Sequence, residues 1–168
     1  FPEGSSAEDM IYADLRLPQG TVRVITTHLQ SVRFNRSDYE GLSDIKRMED
    51  STLGASRTII SKLKRGYRFR TDQAALVRQQ VDRSPHPVIL TGDFNDVPNS
   101  FTYFTIRAGL QDAFTKEGSG LGRTFRYISP NLRIDYILTD SRYKVLQYHR
   151  FRVPYSDHYP VVADLRWK

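Results

Sequence analysis

Four times along this chain a short apolar or β-branched run meets an acid, an amide or an imidazole. Residues 21–25 lead into Thr26-Thr27-His28. Val88-Ile89-Leu90 leads into Thr91-Gly92-Asp93-Phe94-Asn95. Asp135 lies inside Ile134-Asp135-Tyr136-Ile137-Leu138, and Asp157-His158 stands just before residues 161–165. Runs of this length and composition are strands. Strand ends, and the loops leaving them, are where a rigid backbone holds reactive side chains in place. The pattern requires a sheet-based domain with its polar chemistry gathered at strand ends.

The remaining elements fit that frame. Residues 10–17 alternate, with Ile11, Ala13, Leu15 and Leu17 on one face, which predicts a half-buried strand. Pro18-Gln19-Gly20 is turn chemistry, so residues 10–27 read as a hairpin. Leu53, Ile59, Ile60 and Leu63 hint at a helix. Asp72 is placed to cap a second one through Val81, and Pro85 and Pro87 end it. Val88-Ile89-Leu90 suits a strand buried on both faces. Residues 100–108 read as helix, and Gly118, Gly120 and Gly122 mark a flexible loop. Residues 124–127, 133–138 and 143–151 are further strand candidates. Strands interleaved with two or three helices give a mixed α/β domain, and 168 residues make one domain of ordinary size.

Composition narrows the chemistry. There are no cysteines, which excludes disulfides, thiolate metal sites and a cysteine nucleophile. No apolar run approaches the roughly 20 residues that span a bilayer. The net charge is +6. Most of it falls between Ser31 and Arg83, which hold 12 basic and 7 acidic residues. Within residues 51–71, Arg57, Lys62, Lys64, Arg65, Arg68 and Arg70 occur with no acid. Such a stretch is either a solvated helix face or a surface for phosphate-rich partners or anionic membrane.

Each candidate site residue has a bland and a functional reading. Asp135 in an apolar strand is expensive to bury unless paired. It either alternates outward or pairs with Arg133 for structure, or it holds and polarises an imidazole. Asp157 offers a hard oxygen ligand suited to Mg²⁺, and His158 a base that titrates near neutrality. Asp93 and Asn95 are two apart, so an extended chain points both side chains to one side. They form either an acid–amide pair for an oxyanion or an Asx turn ahead of Pro98. Gly92 lets the backbone turn sharply or approach a ligand closely. His28 after its strand is weak evidence by itself.

Taken in order, Thr27-His28-Leu29, Thr91-Gly92-Asp93-Phe94-Asn95-Asp96-Val97-Pro98, Arg133-Ile134-Asp135-Tyr136-Ile137-Leu138 and Ser156-Asp157-His158-Tyr159-Pro160-Val161 resemble the endonuclease/exonuclease/phosphatase superfamily, the deoxyribonuclease-I-like metal-dependent phosphoesterases. The resemblance runs from about Met10 to the C-terminus. It implies an α/β (α+β) fold, the C-terminal half of a two-sheet sandwich with a mostly antiparallel mixed sheet and flanking helices. It implies Mg²⁺, with Mn²⁺ as a substitute, and hydrolysis of a phosphodiester or phosphomonoester by activated water. His158 would be the general base, oriented by Asp135. Asp157 would ligate metal, Asp93 would position the nucleophile or assist proton transfer, Asn95 would hydrogen-bond the phosphate, and His28 would stabilise phosphoryl oxygens or the leaving group. Arg133 and Tyr136 would be scaffold.

Two departures follow from the same comparison. The superfamily's N-terminal half carries an Asn and a metal-binding Glu, and nothing before His28 matches them. Residues 1–168 therefore read as a partial domain with an incomplete metal site, expected to be inactive by themselves, whose missing half is an expected partner, with an exposed sheet face as an apolar patch. Also, 65 residues separate His28 from Asp93, more than in compact relatives, which marks 33–70 as a basic insertion. In related bacterial proteins such an insertion accompanies membrane anchoring, so contact with a membrane surface is an expectation. Nucleic acid, a phospholipid headgroup or a small phosphoester all remain open as substrate. The competing reading is a non-catalytic module using residues 51–71 to hold nucleic acid or anionic membrane.

Overall fold

A computed structural model describes residues 1, 9–32, 34, 37–38, 53–127 and 132–168, with backbone only at 53–56. Strands β1 (Met10–Leu17) and β2 (Gly20–His28) form the expected hairpin. Helix α1 (Leu53–Asp82) leads to β3 (Val88–Asp93), which pairs parallel to β2. Then come α2 (Phe101–Arg107), β4 (Gln111–Asp112), α3 (Ala113–Glu117), β5 (Asp135–Thr139), β6 (Tyr143–Arg150) and β7 (Val161–Trp167). The main sheet runs β1-β2-β3-β5-β4, and every pair except β2/β3 is antiparallel. β6 and β7 make a separate antiparallel pair. This is the mixed α/β architecture expected.

Alternation sorts the two faces of the main sheet. Ile25, Leu29, Leu90, Phe94, Tyr136 and Leu138 are buried against Ala74, Val77 and Val81 of α1 and Ile106 of α2. On the other face Ile137 packs with Ala113 and Val145, flanked by Tyr148, Val161, Ala163 and Leu165 of the β6/β7 pair. Two side chains cap the short helices. The Ser100 hydroxyl accepts from the Tyr103 N–H, and the Asp112 carboxylate accepts from the Phe114 N–H.

β1 is not half-buried: Ile11 is 64% exposed and Leu15 46%, because nothing among the described residues covers that face at the sheet edge. Asp72 caps nothing, since α1 runs through it in one 30-residue helix. No proline interrupts Leu53–Asp82, and the break comes at Pro85, as expected. Residues 124–127 form no strand, only a single bridge between Phe125 and His158. In the glycine loop, a Cβ on Gly118 or Gly122 would stand 2.2 or 2.5 Å from the Phe114 ring, while one on Gly120 would meet nothing within 4 Å. Of the stretch 33–70, residues 33, 35–36 and 39–52 lie outside the described residues, and the rest of its second half is α1. Among the described residues, no helix is long and apolar enough to cross a membrane.

Candidate active site

Strand register brings the first residues of the site together. His28 pairs with Asp93 across β2/β3, and Asp93 pairs with Asp135 across β3/β5. Paired residues point to one side of a sheet, so these three side chains share a level and a face, the one opposite Ala74, Val77 and Val81 of α1. His158 comes from the loop between β6 and β7. That loop is tied down where the Arg126 N–H donates to the Asp157 carbonyl (2.8 Å) and the Tyr159 N–H to the Thr124 carbonyl (2.7 Å).

His158 Nδ1 lies 3.0 Å from Asp135 Oδ2 and 3.2 Å from Oδ1. With Nδ1 donating to the carboxylate, Nε2 is the nitrogen left to accept a proton. That Nε2 lies 3.9 Å from Asp93 Oδ2, and His28 Nε2 lies 3.7 Å from the same oxygen. The hydrogen bond to Asp135 raises the His158 pKa above the ordinary 6.5; burial opposes it, and the charges of Asp135, Asp93 and Asp157 add to it. Burial pushes Asp93 up to about 6, the Asp135 charge adds to the shift, and the Asn95 N–H and both imidazoles oppose it.

Asp93 and Asn95 do not lie on an extended chain. Asn95 has φ +49, and its backbone N–H donates to Asp93 Oδ1 at 2.7 Å, so the Asx turn is present. The same turn folds the Asn95 amide onto its neighbours. Nδ2 donates to the Leu29 carbonyl (3.0 Å) and to Asp93 Oδ2 (3.2 Å). Arg133 does not pair with Asp135. It is buried against Asp112 at 2.8 Å, and Asp112 also accepts from the Tyr103 hydroxyl. Tyr136 is buried, with its hydroxyl donating toward the Asp96 and Arg133 carbonyls.

One cavity of about 590 Å³ is lined by His28, Asp93, Asn95, Asp157 and His158. Ligand atoms of Asp93, Asp135 and His158 all lie within 4.8 Å of one another. Asp157 is outside that group, exposed at the cavity wall. The donor set suits a divalent cation. Two carboxylates converge closely enough that one raises the pKa of the other, and a cation between them relieves that repulsion.

Sequence reasoning missed the supports of this site. Thr124, fully buried, accepts from the N–H groups of both Ile134 and Asp135 (3.0 and 3.1 Å). Its carbonyl holds Tyr159, so one residue positions both halves of the Asp135–His158 pair. Arg70, also buried, donates to Asp96 (3.1 Å) and to the Gln30 carbonyl (3.0 Å). It joins the segments leaving β2 and β3. Arg70 was visible only as one cation in a basic run, and nothing in the sequence distinguishes it from Arg68.

Residues 21–158 match the profile described as the Endonuclease/Exonuclease/phosphatase family. No curated protein matches the sequence. Among solved structures, a family protein from Bacteroides thetaiotaomicron is 20% identical, with a TM-score of 0.58 over 93% of this chain and 53% of that one. A second, from Bacteroides vulgatus, is 19% identical, with a TM-score of 0.61 over 95% and 55%. D. rerio TDP2 complexed with single strand DNA product is 16% identical, with a TM-score of 0.59 over 94% and 61%. This chain thus spans little more than half the length of these structures.

Proposed function

Because the chain belongs to the endonuclease/exonuclease/phosphatase family, we propose that it supplies the water-activating machinery of a divalent-metal-dependent phosphoesterase. The observation that carries this reading is the His158 imidazole held by Asp135 with its second nitrogen facing Asp93. His158 Nε2 takes the proton of the attacking water. Asp135 keeps Nδ1 protonated and stabilises the imidazolium that forms. Asp93 orients the water through its Oδ2. Asn95 gives the phosphoryl oxygen the N–H that otherwise rests on Asp93 at 3.2 Å. His28 donates to a phosphoryl or leaving-group oxygen from the far side of Asp93.

Asp157, Asp93 and Asp135 are the carboxylates available to hold Mg²⁺ or Mn²⁺. Such an ion supplies charge neutralisation at phosphorus when bound. TDP2, with its single-strand DNA product, supports a phosphoester as the substrate class. The alternative, a binding module built on residues 51–71, has less support. Lys62 is paired with Asp38 at 2.5 Å and Arg70 is buried. Arg57, Lys64, Arg65 and Arg68 remain as an exposed helix face.

The test is hydrolysis of bis(4-nitrophenyl) phosphate with and without Mg²⁺, with a His158→Ala preparation alongside. Mg²⁺-dependent turnover that the substitution abolishes is the expected result when the N-terminal half that the family resemblance implies is supplied, with little or none from residues 1–168 by themselves. Turnover that survives His158→Ala in a nuclease-free preparation would overturn the assignment of the base.

A further inference from the structure

The cavity that holds His28, Asp93 and His158 is also lined by Leu63 of α1, Val32, Phe34, Phe125 and Leu132. None of these has a part in the proton transfers described above. Leu63 is 41% exposed, while Ile59, one turn earlier on the same helix, is 3% exposed. Leu63 is thus an apolar side chain left facing open space beside a polar reaction centre, where covering it is favourable.

Charge points the same way. Among the described residues lining this cavity, the one permanent cation is Arg70. It is committed to Asp96 and to the Gln30 carbonyl. Lys64, Arg65 and Arg68 line a separate surface depression. Among the described residues, the wall next to the catalytic groups therefore offers the apolar edges of Val32, Phe34, Leu63, Phe125 and Leu132, with no free cation to take a second phosphate.

We propose that Leu63, Phe34 and Phe125 form a subsite for an apolar group, aryl or alkyl, esterified to the phosphorus that His28 and His158 handle. This rests on the phosphoester reading of the site and adds the nature of the ester group. The phosphate end meets the imidazoles and the Asn95 amide. The hydrocarbon end covers Leu63 and the two phenylalanine rings, and each buried methylene strengthens binding about three- to fourfold.

The test is ligand binding by the whole chain in Mg²⁺, followed by NMR of the histidine imidazoles and leucine methyls. The ligands are inorganic phosphate, methyl phosphate, n-butyl phosphate and phenyl phosphate. The expected result is a dissociation constant about thirtyfold lower for butyl than for methyl phosphate, with Leu63 and His158 resonances shifting together. The Leu63→Ser and Phe34→Ser variants are expected to lose that gain and keep the affinity for inorganic phosphate. Comparing butyl with phenyl phosphate separates an alkyl from an aryl preference. Equal affinities across the series, a gain that survives both substitutions, or no binding by any ligand overturns the subsite. Leu63 shifts on adding butyl phosphate, with the histidines unmoved, retain the apolar subsite and refute the phosphoester reading.

Discussion

Asp93 should destabilise the fold it belongs to. Its side chain is only 16% exposed, and its pKa is pushed from 3.8 up to about 6, by burial first and by Asp135 second. The folded chain therefore holds this proton more tightly than the unfolded chain does. Stability falls as pH rises from about 4 to about 6, and the penalty is complete above that. The rise from 3.8 to about 6 corresponds to about 3 kcal/mol. Asp93→Asn removes it. The amide keeps an oxygen for the Asn95 N–H but sets an NH₂ against Asn95 Nδ2, at a loss of about 1 kcal/mol. The variant should be more stable than the parent by about 2 kcal/mol at pH 8 in EDTA, and slightly less stable at pH 4. Urea unfolding followed by the fluorescence of Trp167, the single tryptophan, measures this directly. Adding Mg²⁺ should stabilise the parent and narrow the gap. A variant less stable than the parent at pH 8 without metal, or a difference independent of pH, would refute the reasoning.

Three further perturbations test the supports. In Asp135→Asn the His158 pKa should fall back toward 6.5, read by imidazole NMR, because its main cause is gone; hydrolysis should drop by about 10³-fold. In the parent, activity should rise with pH through a His158 pKa above 6.5, since the base must be neutral to accept a proton, and a profile falling through that range would contradict the assignment. Arg70→Met leaves Asp96 buried without its cation and should cost about 3–5 kcal/mol in urea unfolding, with Arg70→Lys recovering part of it. Gly92→Ala should be barely foldable, because its Cβ would stand 1.9 Å from the Thr27 carbonyl oxygen; a variant with unchanged thermal unfolding would show that the two strands can part.

Strands were readable where alternation or a dense apolar run made them so, as at Val88-Ile89-Leu90 and in the residue 10–27 hairpin. Burial was not readable in the same way. The alternation of Ile11, Ala13, Leu15 and Leu17 describes a face suited to being covered, and whether it is covered depends on residues elsewhere. The helix cap at Asp72 failed for a related reason. Aspartate caps a helix only where the preceding residue leaves helical geometry, and the run from Tyr67 to Thr71 contains nothing that forces it to. Residues 124–127 have strand composition, yet Thr124 spends its hydroxyl and carbonyl on holding Asp135 and Tyr159. A hydroxyl that accepts two backbone N–H groups leaves no periodic trace in a sequence.

Gly92 shows why the residues of the candidate site were easier to identify than their geometry. Glycine ahead of an acid reads as a sharp turn or as room for a ligand. In the structure the room is taken by the neighbouring strand. Gly92 has φ +153, and the space its Cβ would fill holds the Thr27 backbone. The parallel pair β2/β3 closes up at this point, one residue before both strands end, and the next pair in register is His28 with Asp93. Any side chain at 92 would push β2 away and widen the 3.7 Å separation between the His28 imidazole and the Asp93 carboxylate. The glycine therefore acts on the chemistry through strand spacing. On its other side β3 pairs with β5, which sets Asp135 beside Asp93, and burial together with that charge is the source of the raised Asp93 pKa. The strand pairing that assembles the site is also what destabilises the fold there.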